Sequence, residues 1–341
     1  MFKDLLKKFY AALLATALIV SFTACSDEDD PSTPPKDEAT SLVEYLEANG
    51  DYINTNAPAL IVAADLRADL LAKPEKIKVI DVRAKGDYDT LGHIAEAVNV
   101  PIADLINAFA TMNPKPETYE KVVVACYTGQ SAGYAVSVLR LLGYNNVYSL
   151  KWGMSSWNAS LAKSWNNTVA SGNSKASQFV KTETAKAAAG SLPSLTTGKT
   201  TGKEILEARA AALLTEGYSK AVLSADAVFQ DLNKFYIINY WPKAQYDDPG
   251  HIPGAIQYTP KADLKLAAAL KTLPTDKTIV VYCYTGQTSA QVAAYLRMLG
   301  YDAKTLSFGA SGMIYDLIKD KTGFSTWKAT EANDFPLVKS N

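Results

Sequence analysis

Cys126-Tyr127-Thr128-Gly129-Gln130-Ser131 returns later in the chain as Cys283-Tyr284-Thr285-Gly286-Gln287-Thr288. Each hexapeptide follows a short apolar, β-branched run, Val122–Ala125 in the first case and Ile279–Tyr282 in the second. Each leads into a stretch with apolar residues near helical spacing, Ser131–Leu142 and Ser289–Leu299. A buried strand, a tight loop and a helix are the reading that fits both.

Working outward, the repetition continues. Gly92-His93-Ile94 returns as Gly250-His251-Ile252, and Leu139-Arg140-Leu141-Leu142-Gly143-Tyr144 as Leu296-Arg297-Met298-Leu299-Gly300-Tyr301. The two His of the chain are those of the repeated segment. A repeat this long is two domains of one fold, not a solenoid. Strands are expected at Val79–Val82, Val147–Leu150, Ile237–Ile238 and Lys304–Leu306 as well, alternating with helices. That order predicts an α/β fold, with each domain a mostly parallel sheet flanked by helices. The first copy is expected at 41–181 and the second at 196–341. The small, polar, Pro- and Gly-marked stretch 182–195 is expected to link them.

The whole chain of 341 residues agrees with this reading. It is 48% hydrophobic and 20% charged, which excludes wholesale disorder and collagen. Its 34 Lys and Arg against 35 Asp and Glu give no electrostatic case for nucleic-acid binding. Three Cys cannot build a disulfide framework.

One of the three stands near the start. Residues 1–24 have a basic beginning, an uncharged apolar stretch from Phe9 to Ala24 and small residues at the end. This is the order of a secretory signal peptide, too short for a membrane span. Phe22-Thr23-Ala24-Cys25 resembles the lipobox of bacterial lipoproteins, with Phe22 where Leu is usual. The resemblance implies that Cys25 is lipidated and becomes the first residue of the mature chain. Ser26 in place of Asp then favours the outer membrane of the cell envelope, with the membrane reached through the lipid anchor. The acidic and Pro-rich run up to residue 40 reads as a solvated tether.

The other two Cys lie in the repeated loops, where an α/β sheet binds ligands at its carboxyl end. Gly129 permits a left-handed turn that curls the loop, so that backbone N–H groups point inward. Such a nest, with the helix N-terminus behind it, favours thiolate over thiol. A thiolate in an anion-binding cup is a nucleophile for an anionic electrophile.

Each copy resembles a rhodanese domain. The resemblance rests on Asp81-Val82-Arg83, on Gly92-His93-Ile94 leading to Asn99-Val100-Pro101, on the Cys126–Ser131 loop and on Trp152-Gly153. In the second copy it rests on Gly250–Ile256, the Cys283–Thr288 loop and Phe308-Gly309. It implies a sulfurtransferase that carries sulfane sulfur as a persulfide on Cys126 and Cys283, held by Tyr127, Thr128, Gly129, Gln130 and Ser131 or by Tyr284, Thr285, Gly286, Gln287 and Thr288. A small anionic donor such as thiosulfate and a thiol, cyanide or protein acceptor follow from it. No cofactor is implied.

Phosphatases of the same fold end a longer loop in Arg, which neither copy has. Zinc is discounted, because the His-to-Cys separation matches no short chelating motif. His93 and His251 are expected to pack. A non-catalytic binding module and a thiol redox protein remain as alternatives. Asp81 and Arg83 are supporting residues, and the second copy has Asn239 and Trp241 in their places. The first copy is therefore expected to be the more typical one.

Overall fold

The computed structural model describes residues 37–340. Cys25 and the rest of residues 1–36 lie outside the described residues. Two five-stranded sheets of the same topology are present. The first has the order β1-β5-β4-β2-β3, formed by β1 (Leu60–Ile61), β2 (Ile77–Asp81), β3 (Val98–Asn99), β4 (Lys121–Ala125) and β5 (Val147–Leu150). The second has the order β6-β10-β9-β7-β8, formed by β6 (Val222–Leu223), β7 (Phe235–Asn239), β8 (Ile256–Gln257), β9 (Thr278–Tyr282) and β10 (Ala303–Leu306). Every strand pair is parallel. The central strands are continuous apolar runs because both faces of each sheet are covered.

Four helices meet between the sheets: α1 (Glu38–Ala48), α2 (Gln130–Leu141), α3 (Gly202–Glu216) and α4 (Gln287–Met298). Helix α1 begins within the stretch read as tether, with the Asp37 carboxylate accepting from the Thr40 N–H. It packs on α3, which touches both α2 and α4. Helices α2 and α4 pack against one another along a seam between the two copies. Nearly every residue of α2 is buried. A helix covered all round shows only a weak polar stripe, since one face meets its own sheet and the other meets the opposite copy. Gly133 lets the helices close up: a Cβ there would stand 3.0 Å from the Gln287 carbonyl oxygen. One turn on, the Ser137 hydroxyl donates to the Gln291 carbonyl at 2.8 Å.

The copies also exchange their ends. The last residues of the first copy cross to the second, where Val180 and His251 trade two backbone hydrogen bonds of 2.9 Å. The C-terminal segment returns to the first copy, where Val338 and His93 trade the same pair. Both contacts are isolated antiparallel bridges. This explains the glycine of the repeated Gly-His-Ile. A Cβ on Gly250 would come within 2.6 Å of the Val180 carbonyl oxygen, and one on Gly92 within 2.9 Å of the Leu337 Cβ. Both glycines also have positive φ, +105° at Gly250 and +95° at Gly92.

Candidate active site

Cys126 follows the last residue of β4, and Cys283 follows the last residue of β9. Gly129 and Gly286 sit in the left-handed region, φ +82° and +78°, and turn the chain into the first residues of α2 and α4. The turn aims amides at sulfur. The Gly129 and Ala132 N–H groups donate to the Cys126 Sγ at 3.1 and 3.4 Å. The Ser289 N–H donates to the Cys283 Sγ at 3.3 Å. Both thiols are free of disulfide. These amide donors, with a twelve-residue helix behind each, make a cup that suits an anion on sulfur.

An aromatic-Gly turn closes each loop from the side. Met154 N–H donates to the Cys126 carbonyl at 2.7 Å, and Ala310 N–H to the Cys283 carbonyl at 3.0 Å. Trp152 and Phe308, just ahead of Gly153 and Gly309, hold positive φ values of 65° and 57°. Such strain costs on the order of 1–3 kcal/mol and persists where packing over-determines it. Here the packing spans both copies. The Trp152 ring meets Trp165 and Trp327 edge-on at 4.9 and 5.7 Å, and Trp165 meets Phe308 at 4.9 Å.

The two loops face one another across the seam. The Gln130 Oε1 of the first loop accepts from the Phe308 N–H of the second copy at 2.8 Å. The Gln287 Oε1 of the second loop accepts from the Trp152 N–H of the first copy at 2.8 Å. Each glutamine also lies against the glycine of the opposite loop: a Cβ on Gly129 would stand 2.4 Å from the Gln287 Oε1, and one on Gly286 2.3 Å from the Gln130 Oε1. Both loop cysteines are buried. Cys126 is 4% exposed and Cys283 2%. Thr128 and Thr285 take a hydrogen bond from the glutamine amide of their own loop, at 3.1 and 3.3 Å. Ser131 and Thr288 are half-buried in the first turn of their helices.

Asp81 and Arg83 form a buried ion pair, Arg83 Nη2 to Asp81 Oδ2 at 2.7 Å, and Nη2 also donates to the Gly92 carbonyl at 2.8 Å. The guanidinium lies 5.2 Å from the centre of the Tyr127 ring. Burial, together with the Asp87 carboxylate, pushes the Tyr127 hydroxyl up to about 12. In the second copy Trp241 stacks on Tyr284 at 5.3 Å, and Asn239 donates to the Tyr282 hydroxyl at 2.7 Å. His93 and His251 stack on Tyr88 and Tyr246, each pair 3.6 Å apart. Their Nδ1 atoms lie 3.0 and 3.1 Å from the carbonyls of the same tyrosines. Among the described residues no group of three or more His, Cys, Asp or Glu is placed to hold a metal ion.

The rhodanese-like domain family matches residues 63–160 and 224–313, together more than half of the chain. The chain belongs to the rhodanese-like family. It is similar to the thiosulfate sulfurtransferase GlpE of Pseudomonas fluorescens, 36% identical over 100 residues, which cover 28% of this chain and 81% of that protein. It is similar also to the tRNA sulfurtransferase of Thermoplasma acidophilum, 36% identical over 87 residues. That second match spans 25% of this chain and 16% of the relative's length. Among solved structures, the thiosulfate sulfurtransferase of Pseudomonas aeruginosa aligns at 19% identity over 88% of this chain and 49% of that one, with a TM-score of 0.29. Each copy is thus a rhodanese-like domain with its own cysteine loop, and the two loops lie at one seam.

The reciprocal glutamines and the exchanged ends were not part of the sequence reading. For the ends a signal existed. Val180-Lys181 and Val338-Lys339 repeat at the spacing that separates His93 from His251. For the glutamines the sequence shows only that they repeat, not that their amides reach the other copy.

Proposed function

We propose that this rhodanese-like chain is a sulfurtransferase of the cell envelope, moving sulfane sulfur from thiosulfate or a related small donor to a thiophilic acceptor. The observation that supports it most is the Cys126 sulfur held by the Gly129 amide of the loop and the Ala132 amide in the first turn of a buried helix. In the first step the Cys thiolate attacks the outer sulfur of thiosulfate. The sulfur–sulfur bond of the donor breaks, and sulfite leaves with the electron pair. In the second step a thiolate or cyanide attacks the outer sulfur of the persulfide and the Cys thiolate departs. The cycle is covalent and two-step, with ping-pong kinetics. Thiosulfate treatment followed by mass spectrometry of the two loop peptides tests it. One added sulfur on Cys126, Cys283 or both is expected, and an unmodified pair of peptides would overturn it.

The burial of both sulfurs favours a second reading, a binding module in which the loops serve to join the copies. The same measurement separates the two.

The proposal includes a location. Residues 1–24 act as a signal peptide, Cys25 carries lipid, the chain ahead of α1 tethers it, and 182–195 link the domain that ends at 181 to the one at 196–341. Replacing Cys25 with Ser should release the protein from membrane fractions.

A further inference from the structure

A cavity of about 170 Å³ opens in the first copy at the start of β2, the end away from the cysteine loops. Strand β2 gives it Ile77 and Val79, the helix Ala63–Ala72 gives Leu70, and Trp157 stands with them. The C-terminal arm adds Pro336 and Val338. The arm is held there by the Trp157 Nε1, which donates to the Pro336 carbonyl at 2.9 Å. An apolar cavity of this size takes a group as large as a benzene ring.

Two charged side chains line the same cavity, Arg67 and Glu96. Arg67 is half-buried and Glu96 exposed, so both belong to its open side. They do not pair with one another, and neither side chain makes a hydrogen bond or ion pair among the described residues. Asp69, on the same helix as Arg67, is by contrast paired with Lys121. The second copy has neither charge. Leu60 and Val222 hold the same register in their sheets, which sets Phe229 in the place of Arg67. The repeated Gly-His-Ile sets Gly254 in the place of Glu96. Both residues of that turn have positive φ, 61° at Glu96 and 78° at Gly254. Glycine is unstrained there and glutamate is not. The first copy therefore keeps a carboxylate where the backbone itself favours glycine.

We propose that this cavity binds a free apolar amino acid of about the size of leucine, as its zwitterion. The side chain enters the apolar interior. The carboxylate accepts from the Arg67 guanidinium, a pairing suited to two parallel hydrogen bonds, and the ammonium group donates to Glu96. A simple anion would answer Arg67 and leave Glu96 opposed, and a simple cation would do the reverse. A zwitterion with an apolar tail answers both charges and the walls together. The arm forms part of the wall, so an occupied cavity also holds the arm, and with it the pairing of His93 and Val338. The site stands apart from both cysteines and does not depend on the sulfurtransferase reading.

The test is titration calorimetry of the full chain with L-leucine, with isocaproate, which lacks its ammonium group, and with isoamylamine, which lacks its carboxylate. Leucine should bind saturably, and each analogue should bind about tenfold more weakly, the effect of losing one charged hydrogen bond. L-asparagine, of similar shape and polar, should not bind. Arg67→Met and Glu96→Gln should each weaken leucine about tenfold and narrow the gap to the analogue that lacks the matching group. In hydrogen exchange, leucine should slow the His93 and Val338 amides of the wild type. No saturable binding of leucine overturns the proposal. So does an analogue or asparagine that binds as tightly as leucine, or leucine binding unchanged in both variants. Binding that leaves the two amides exchanging as before places the ligand elsewhere and overturns it as well. The analogue series needs no variant, so it decides the matter even if a substitution disturbs the fold.

Discussion

At the carboxyl end of β2 the first copy places Arg83, and at the carboxyl end of β7 the second places Trp241. Both are fully enclosed, and both lie against the tyrosine that follows the loop cysteine. In the first copy the enclosed cation is matched by Asp81, and the pair is tied to the Gly92 carbonyl. In the second the charge is gone from both partners. Trp241 fills the space among Tyr282, Tyr284 and Phe324, and Asn239 turns to the Tyr282 hydroxyl. Exchange of a buried ion pair for packed apolar groups is often neutral for stability, while loss of one partner alone is not. The fold therefore survives the change, and what differs is the polarity beside the cup. The Asp81–Arg83 pair carries no net charge, so what it sets beside the first cup is a dipole with the guanidinium toward the Tyr127 ring, where the second copy has an indole against Tyr284.

Four experiments break or sharpen this comparison. The largest effect is expected from the loop cysteines. The double change Cys126→Ser, Cys283→Ser should reduce thiosulfate-to-cyanide transfer to the uncatalysed background. Of the single variants, Cys126→Ser should lose most of the activity. A protein that keeps its activity without Cys126 and loses it without Cys283 would reverse the order of the two sites.

Next is the ion pair. Arg83→Leu leaves the Asp81 carboxylate buried and unpaired, and should cost about 3–5 kcal/mol in denaturant unfolding. Asp81→Asn combined with Arg83→Trp copies the second domain and should recover a large part of that loss. A double variant no more stable than Arg83→Leu would show that the second copy depends on further changes around its indole.

The glutamines come third. Gln287→Ala strands the buried Trp152 N–H and should cost roughly 1–3 kcal/mol, with Gln130→Ala close to it. Unequal values would show that one loop supports the seam more than the other. Smallest is an alkaline effect. Burial raises Tyr52 and Tyr240, one in each copy, from the ordinary 10.0 to about 12. In the unfolded chain these phenols lose protons near pH 10, while in the folded chain they keep them. Their contribution is complete below pH 10 and is lost as pH rises toward 12. Half a unit above 10 each should cost about 1 kcal/mol. One unfolding transition in a pH series would mark the copies as a single cooperative unit, and two would separate them.

Much of this was legible in the sequence. The strands read as Val147–Leu150 and Ile279–Tyr282 appear at Val147–Leu150 and Thr278–Tyr282, because continuous β-branched runs have few other folds open to them. Helix α2 was expected from Ser131 and starts at Gln130. The loop cysteines were legible because glycine and a repeated spacing mark a turn. What stayed hidden lies between the copies. Periodicity tells that a face of α2 is covered, but not that α4 covers it. A glutamine in a polar loop reads as part of that loop, although its amide caps a turn in the other copy.

The exchanged ends carry one more consequence. Val180 pairs with His251 and Val338 with His93, so neither domain holds its own last strand-like segment. This is the geometry of a two-fold homodimer with swapped arms, written into one polypeptide. In such a dimer the partners would separate on dilution. Here the connection between the copies holds each arm at a high, fixed effective concentration near its acceptor, whatever the amount of protein. A cut within that connection should leave two fragments that stay clasped, and neither should fold alone as well as the pair does.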